Sequence, residues 1–275
     1  MVPWPDSCLF SVMRFYLLLI GSIFSVAMAA ASPGQQVLRS VPNSAFKPGE
    51  KLTFRIHYGF IDAGTAELQI AAEKKMIGPR SCYHVIGSGK SVGAFDWFFK
   101  VRDRYESYVD ADAMVPWLFV RDISEGGYKK KQRVVFNHYT DSARSEKKTI
   151  SIPDNTQDLI SAFYFARTID LTKASPGDVF PINGYLDDEV ILLNIKFIGR
   201  ETLHTDLGKF KCVIFRPMLQ EGRVFKESED MTVWVSDDLN RIPVRVQSNI
   251  LVGSIKMDLT GYENLLHPPA VERKK

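Results

Sequence analysis

Residues 155–169 carry the one convincing helical pattern beyond the amino-terminal region, and alternating stretches flank it on both sides. Asn155 is a good N-cap, Asp158 three residues later gives a capping-box-like start, and Pro153 stands just outside. Gln157, Ser161 and Thr168 fall on one narrow polar stripe with Tyr164 between them. The rest of the helix surface, Phe163 included, is mostly apolar, which predicts a buried helix acting as a core plug.

On either side the period changes to two. Residues 51–58 place Leu52, Phe54, Ile56 and Tyr58 on one face. Residues 99–109 place Phe99, Val101, Tyr105 and Val109 opposite Lys100, Arg102, Arg104 and Glu106. Similar stretches predict strands at 65–71, 83–86, 117–123, 133–136 and 149–152, then at 179–182, 190–198, 210–215, 231–235, 244–250 and 254–259. Val, Ile, Phe and Tyr at period two, broken by Gly, Pro and Asp, are the mark of antiparallel sheet. The predicted fold class is mainly β: about a dozen strands in curved antiparallel sheets, like a half-barrel or β-clam, around one buried helix.

The flanks of the helix also resemble each other. Pro48-Gly49-Glu50 matches Pro176-Gly177-Asp178, and Gly78 to Cys82 matches Gly208 to Cys212. Tyr108 to Asp112 precedes Pro116 as Trp234 to Asp238 precedes Pro243, and Gly127 falls near Gly253. The common order suggests an internal duplication with halves at 46–152 and 174–265, joined by the helix.

The first residues stand apart from this pattern. Arg14 precedes an apolar run over 15–26 and then Ala27-Met28-Ala29, the three regions of a secretory signal peptide. The expected organisation is a signal peptide at 1–29, starting at Met1 or Met13, and a flexible tether at 30–45. A single β-rich domain at 46–265 and a loose tail at 266–275 follow. The expected location is the periplasm or the outside of the cell.

Charge sharpens one region. The formal net charge is +3, and Lys129, Lys130, Lys131, Arg133, Arg144, Lys147 and Lys148 face only Asp141 and Glu146 between positions 129 and 148. Seven minus two is +5, which leaves −2 for the rest of the chain. Such a stretch is either a solvated hairpin whose lysines guard a sheet edge or a contact for anionic lipid headgroups. Lys129, Lys130, Lys131, Arg133, Lys147 and Lys148 are the candidate basic surface. Cys82 and Cys212 are either a disulfide in an exported protein or two small buried apolar residues.

Motifs for chemistry are sparse. Gly87-Ser88-Gly89-Lys90-Ser91 resembles the end of a phosphate-binding loop, but His84 stands where the motif needs glycine, and strand-like aromatic sequence follows. The five histidines His57, His84, His138, His204 and His267 show no paired metal spacing, so neither metal nor cofactor is expected. Asp187-Asp188-Glu189 reads as a hairpin turn. Phe95, Trp97 and Phe99 face one way in an expected strand; they are either core or the lining of an apolar cavity.

Two resemblances add to this reading. The stretch from Trp234 to Val246, with Asp237-Asp238 in its turn and Pro243 leading the next strand, resembles a hairpin of periplasmic lipoprotein carriers and insertases. That likeness implies a curved sheet around helical plugs with a cavity for acyl chains. More broadly the chain is similar to an exported bacterial family known only as a domain of unknown function. The features are Pro48-Gly49-Glu50, the stretch from Phe98 to Asp103, Ser161-Ala162-Phe163-Tyr164, and the stretch from Leu251 to Lys256. The expected function is non-enzymatic binding of an apolar or amphipathic, lipid-like ligand, with an anionic membrane surface as a further partner and no nucleic acid. The alternatives are an envelope scaffold with a self-filled core, and a cell-wall or polysaccharide hydrolase with carboxylates gathered from several strands.

Overall fold

The computed structural model describes residues 37–219, 231–250 and 253–272. The signal peptide, residues 30–36 of the tether, Leu251-Val252 and residues 273–275 lie outside the described residues. The first half holds β1 (Lys51–Tyr58), β2 (Ile61–Ile70), β3 (Lys75–Ile77), β4 (Arg80–Ser91), helix α1 (Gly93–Phe98), β5 (Val101–Asp110), β6 (Pro116–Glu125), β7 (Tyr128–Asn137), β8 (Ser142–Arg144) and β9 (Thr149–Ser151). Helix α2 (Leu159–Ala166) leads to β10 (Val179–Leu186), β11 (Glu189–Thr205), β12 (Gly208–Leu219), β13 (Met231–Ser236), β14 (Pro243–Asn249), β15 (Ser254–Glu263) and β16 (Val271–Glu272). Strands β3, β8 and β16 have two or three residues each, too few to show a period.

The chain is mainly β, in one antiparallel sheet. Its order is β10-β11-β12-β13-β14-β15-β1-β2-β4-β5-β6-β7-β8-β9, with β3 on β4 and β16 on β12. Each half is a meander, and β1 on β15 joins them. The two ends of the path are drawn together by the β10–β11 hairpin tip. There Asp187 pairs with Arg121 and with Lys130 (2.5 Å), Gln132 donates to Asp188 (3.1 Å), and Tyr185 packs edge-on against Phe136. The acidic triplet is therefore a hairpin turn, with Asp187 and Asp188 both at positive φ, and it also closes the seam.

Helix α2 differs from its sequence reading at both ends. It starts at Leu159, not after Asn155, because Gln157 is taken up by β10: its N–H donates to Asn183 O and its carbonyl accepts from Tyr185 N, both at 2.8 Å. Asp158 is the N-cap. Its Oδ1 accepts from Ile160 N and Ser161 N, and Ser161 Oγ accepts from its backbone N–H in return, a complete capping box. The polar stripe faces inward rather than to solvent: Gln157, Ser161 and Tyr164 are all buried. Ser107 Oγ donates to Asp158 Oδ2 at 2.6 Å, and Gln157 Nε2 donates to Met114 O at 2.8 Å, whereas Gln157 Oε1 and Tyr164 Oη are buried with no hydrogen-bond partner among the described residues. The apolar face is the more open one, with Leu159 43 % exposed.

Just past the helix, Arg167 joins the halves. It pairs with Glu50 ahead of β1 through Nη1 (2.5 Å) and Nη2 (2.9 Å), and it donates to Ala45 O and to Asn240 O. Both charged side chains are fully enclosed.

The lead-ins to β1 and β10 share one construction. Gly49 and Gly177 both take positive φ, the region open to a residue without Cβ. Gly49 N donates to Ile70 O while Ile70 N donates to Glu50 O; Gly177 N donates to Phe197 O while Phe197 N donates to Asp178 O. Cys82 pairs in register with Asp110, and Cys212 with Ser236. Met114 and Arg241, each two residues before a strand-opening proline, both have positive φ.

These equivalences explain why the cysteines are not a disulfide. Both are free thiols, held at corresponding places in different halves, with Cys212 in a separate core cluster from β4. Burial pushes each thiol up to about 12. Two flanking segments expected to be loose are held against the sheet. In the tether, Arg39 Nε donates to Ala113 O (3.0 Å), Val41 N donates to Asp112 O (2.7 Å), and Ala45 is buried, because the β5–β6 turn needs partners for its carbonyls. In the tail, His267 N donates to Asn240 Oδ1 and β16 pairs with β12.

Candidate functional site

Helix α2 and the second-half strands enclose an apolar groove of about 200 Å³. Leu159, Ala162, Phe163 and Ala166 form its helical wall. Their spacing of i, i+3, i+4 and i+7 is one face of a helix. The opposite wall alternates along neighbouring strands: Leu193 and Ile195 from β11, Phe215 and Pro217 from β12, Val233 and Val235 from β13. Phe180, Ile169 and Leu171 complete it. The void exists because the helix offers two alanines where larger side chains would meet the sheet. It compares with apolar cavities of roughly 150 Å³ that stay dry and bind small hydrocarbons.

Arg167 and Arg241 stand among this lining. Arg167 is committed to Glu50. Arg241 is half-buried, and its Nη1 donates to Arg167 O at 2.7 Å. The otherwise apolar lining thus includes a guanidinium with donors beyond that bond.

The residues expected to line a cavity do not line this one. Phe95, Trp97 and Phe99 fall in or just after α1, a short helix rather than a strand. Trp97 is 90 % exposed and Phe99 48 % exposed. The strand reading fails because Asp96 is drawn to Ser91 Oγ (2.7 Å) and Arg102, which curls the chain. The basic stretch is divided. Lys130 serves Asp187, and Lys131 pairs with Asp122 at 2.8 Å. Burial pushes Asp188 up, but Tyr185, Ser145, Lys147 and Lys148 outweigh it and hold its carboxyl below the ordinary range. Lys129 and Arg133 stay exposed.

Gly87-Ser88-Gly89-Lys90-Ser91 is the end of strand β4, not a phosphate loop. A Cβ at Gly87 would lie 3.1 Å from Ile160 of α2, so the bare backbone makes room for the helix. Gly89-Lys90-Ser91-Val92-Gly93 also has the spacing of a serine-hydrolase elbow. Ser91 is buried, outside the positive-φ region, and its hydroxyl is bonded to Asp96 and Val101 N rather than to an imidazole. Asp103 and Glu125 are neighbouring carboxylates; burial and then Asp103 push Glu125 above its ordinary range. Among the described residues no group of three or more His, Cys, Asp or Glu could hold a metal. A wider depression of about 670 Å³ crosses the outer face of β1, β2, β4, β5 and β6, but charged side chains such as Glu67, Arg102 and Arg104 line it, and they are engaged in ion pairs.

Residues 53–260 match the family described as "Protein of unknown function (DUF3108)". The chain belongs to that family. No curated protein matches it. Among solved structures, this member of DUF3108 is similar to a β-barrel-like protein of the domain of unknown function DUF1849 from Brucella abortus. That match has 9 % identity and a TM-score of 0.54, covering 83 % of this chain and 99 % of the other. It is also similar to a Bacteroides fragilis protein with a YmcC-like fold, at 10 % identity and a TM-score of 0.33 over 82 % of this chain and 100 % of the other. The first likeness supports a barrel-like fold for this DUF3108 protein.

Sequence reasoning missed the groove and its arginines. The signal was present in the helix, where Leu159, Ala162, Phe163 and Ala166 follow a single face with small residues at its centre. It was hidden because an apolar stripe looks the same whether it meets a packed wall or a gap.

Proposed function

We propose that this is a non-enzymatic periplasmic protein that binds an amphipathic, lipid-like molecule. Its apolar chain occupies the groove between α2 and strands β10–β13, and its anionic end faces Arg241. The groove carries the reading: a largely hydrocarbon lining that includes the guanidinium of Arg241 matches a fatty-acyl chain ending in carboxylate or phosphate. The leader pattern at 1–29 supports export.

The test is titration with a fluorescent fatty acid. The parent protein should bind it saturably. Ala166→Trp, which fills the groove, should weaken binding by about tenfold or more, the scale expected for displacing a few buried methylenes. Arg241→Gln should weaken the acid but not its methyl ester. Absence of saturable binding in the parent, or indifference to Ala166→Trp, would overturn the reading. It would leave ahead an envelope scaffold, which the enclosed Arg167–Glu50 joint favours.

A further inference from the structure

Three neighbouring turns at one end of the sheet expose rings that a buried core would claim. Phe60 and Ile61 lie at the β1–β2 turn, Trp97, Phe98 and Phe99 between β4 and β5, and Tyr128 at the β6–β7 turn. The sheet order β1-β2-β4-β5-β6-β7 sets these turns side by side on one rim. Their exposures are high: Phe60 100 %, Trp97 90 %, Phe98 62 % and Tyr128 56 %. The Phe99 ring lies against Gly126, tying the second turn to the third, and Val92 N donates to Ala63 O (3.0 Å), tying the second to the first. The turns of the opposite rim differ: among the described residues they expose Met76, Leu239 and Leu266, with Tyr139 as the exposed ring.

The charges around the aromatic rim lean positive. Its acids Asp62 and Asp96 are paired with Arg55 and Arg102, and Glu125, opposite Tyr128 at the third turn, is half-buried, with burial and then Asp103 pushing its carboxyl above the ordinary range. Lys90, Lys100 and Lys129 are exposed, and no ion pair is found for them among the described residues. Trp, Tyr and Phe presented on separate turns, with unpaired lysines beside them, have the composition of surfaces that seat in the headgroup zone of a bilayer. A second copy of the same rim would set lysine against lysine, whereas anionic headgroups complement them.

We propose that this rim is a membrane-docking surface, with the α1 rings and Phe60 entering the acyl boundary of an anionic bilayer and Lys90, Lys100 and Lys129 contacting its headgroups. The proposal stands whether or not the groove holds a ligand. Sedimentation with vesicles of phosphatidylethanolamine and phosphatidylglycerol tests it. The protein should bind these vesicles more tightly than phosphatidylcholine vesicles, less tightly at high salt, and with a blue shift of tryptophan emission that Trp97→Phe abolishes. Trp97→Ser with Phe98→Ser should weaken binding by about tenfold or more, with an unchanged melt because both rings are exposed. Phe60→Ser should weaken it separately, and serves alone if the double variant fails to fold. Lys100→Glu with Lys129→Glu should remove the preference for anionic lipid. Three results would each overturn it: no binding by the parent, binding indifferent to the ring substitutions, or a solution dimer that Trp97→Ser with Phe98→Ser dissociates.

Discussion

Three buried carboxylates show how a residue's surroundings decide its contribution. Glu50 is wholly enclosed and meets Arg167 in a two-pronged pair. Removing one partner of such a pair leaves a buried charge, at a cost of about 3–5 kcal/mol. Arg167→Met should therefore lower urea-unfolding stability by that order. Asp158 has no cation; burial pushes its carboxyl up to about 6, although Ser107 and the helix amides oppose the shift. Its folded pKa lies above the ordinary value, so the folded state holds a proton that the unfolded state releases. Stability from this group is greatest below about pH 4, falls as pH rises through about 6, and is level above that. Asp158→Asn, which keeps a good N-cap, should gain on the parent as pH rises from about 4 to about 7. Asp110 has the opposite sign. Burial raises it, but Arg80, Trp117 and two backbone amides outweigh that and hold it at about 2. Its stabilisation is present above about pH 4 and is lost as pH falls towards 2, so the Asn variant should retain that acid limb. The thiols give a simpler expectation: with Cys82 and Cys212 free, the unfolding midpoint should not change on adding reductant.

Among the elements, α2 has its two faces reversed relative to a simple amphipathic helix. Tyr164 is fully buried, edge-on to Phe46 at 4.9 Å and to Phe163 at 5.2 Å. Phe163 borders the groove and is half-buried. Tyr164→Ala should cost about 3–5 kcal/mol in urea unfolding, and Phe163→Ala clearly less, because its removal enlarges an existing space rather than opening a sealed one. Equal losses would show that the groove is packed shut. The helix was legible as an element from Ile160 to Ala166, since its apolar spacing is local. Its start was not, because Gln157 obeys a pairing with β10 formed across the chain.

For the whole molecule, the seam is the feature to test. Asp188 accepts from Tyr185 Oη (2.7 Å) and Gln132 Nε2 (3.1 Å), and Asp187 serves Arg121 and Lys130. Asp188→Ala would leave buried donors unpaired, at about 1–3 kcal/mol. Amide exchange should then quicken in β9 and β10, which flank the seam, with the β1–β15 pair little affected.

The sequence by itself determined what local patterns encode. Strands follow from period two, the helix from its apolar spacing, and the repeated lead-ins at Gly49 and Gly177 from residues suited to one backbone shape. Tertiary structure alone decided what depends on distance along the chain. Period two gives a strand two faces but does not say which neighbour each face meets, so the groove beside Ala162 and Ala166 was not visible. Charge counting found the basic stretch but not its partner, because Asp187 reaches Lys130 only when the sheet curls. The sequence left the cysteines open between a disulfide and two buried thiols, because it shows their number, whereas a bond needs proximity; the fold holds them as free, buried thiols on β4 and β12.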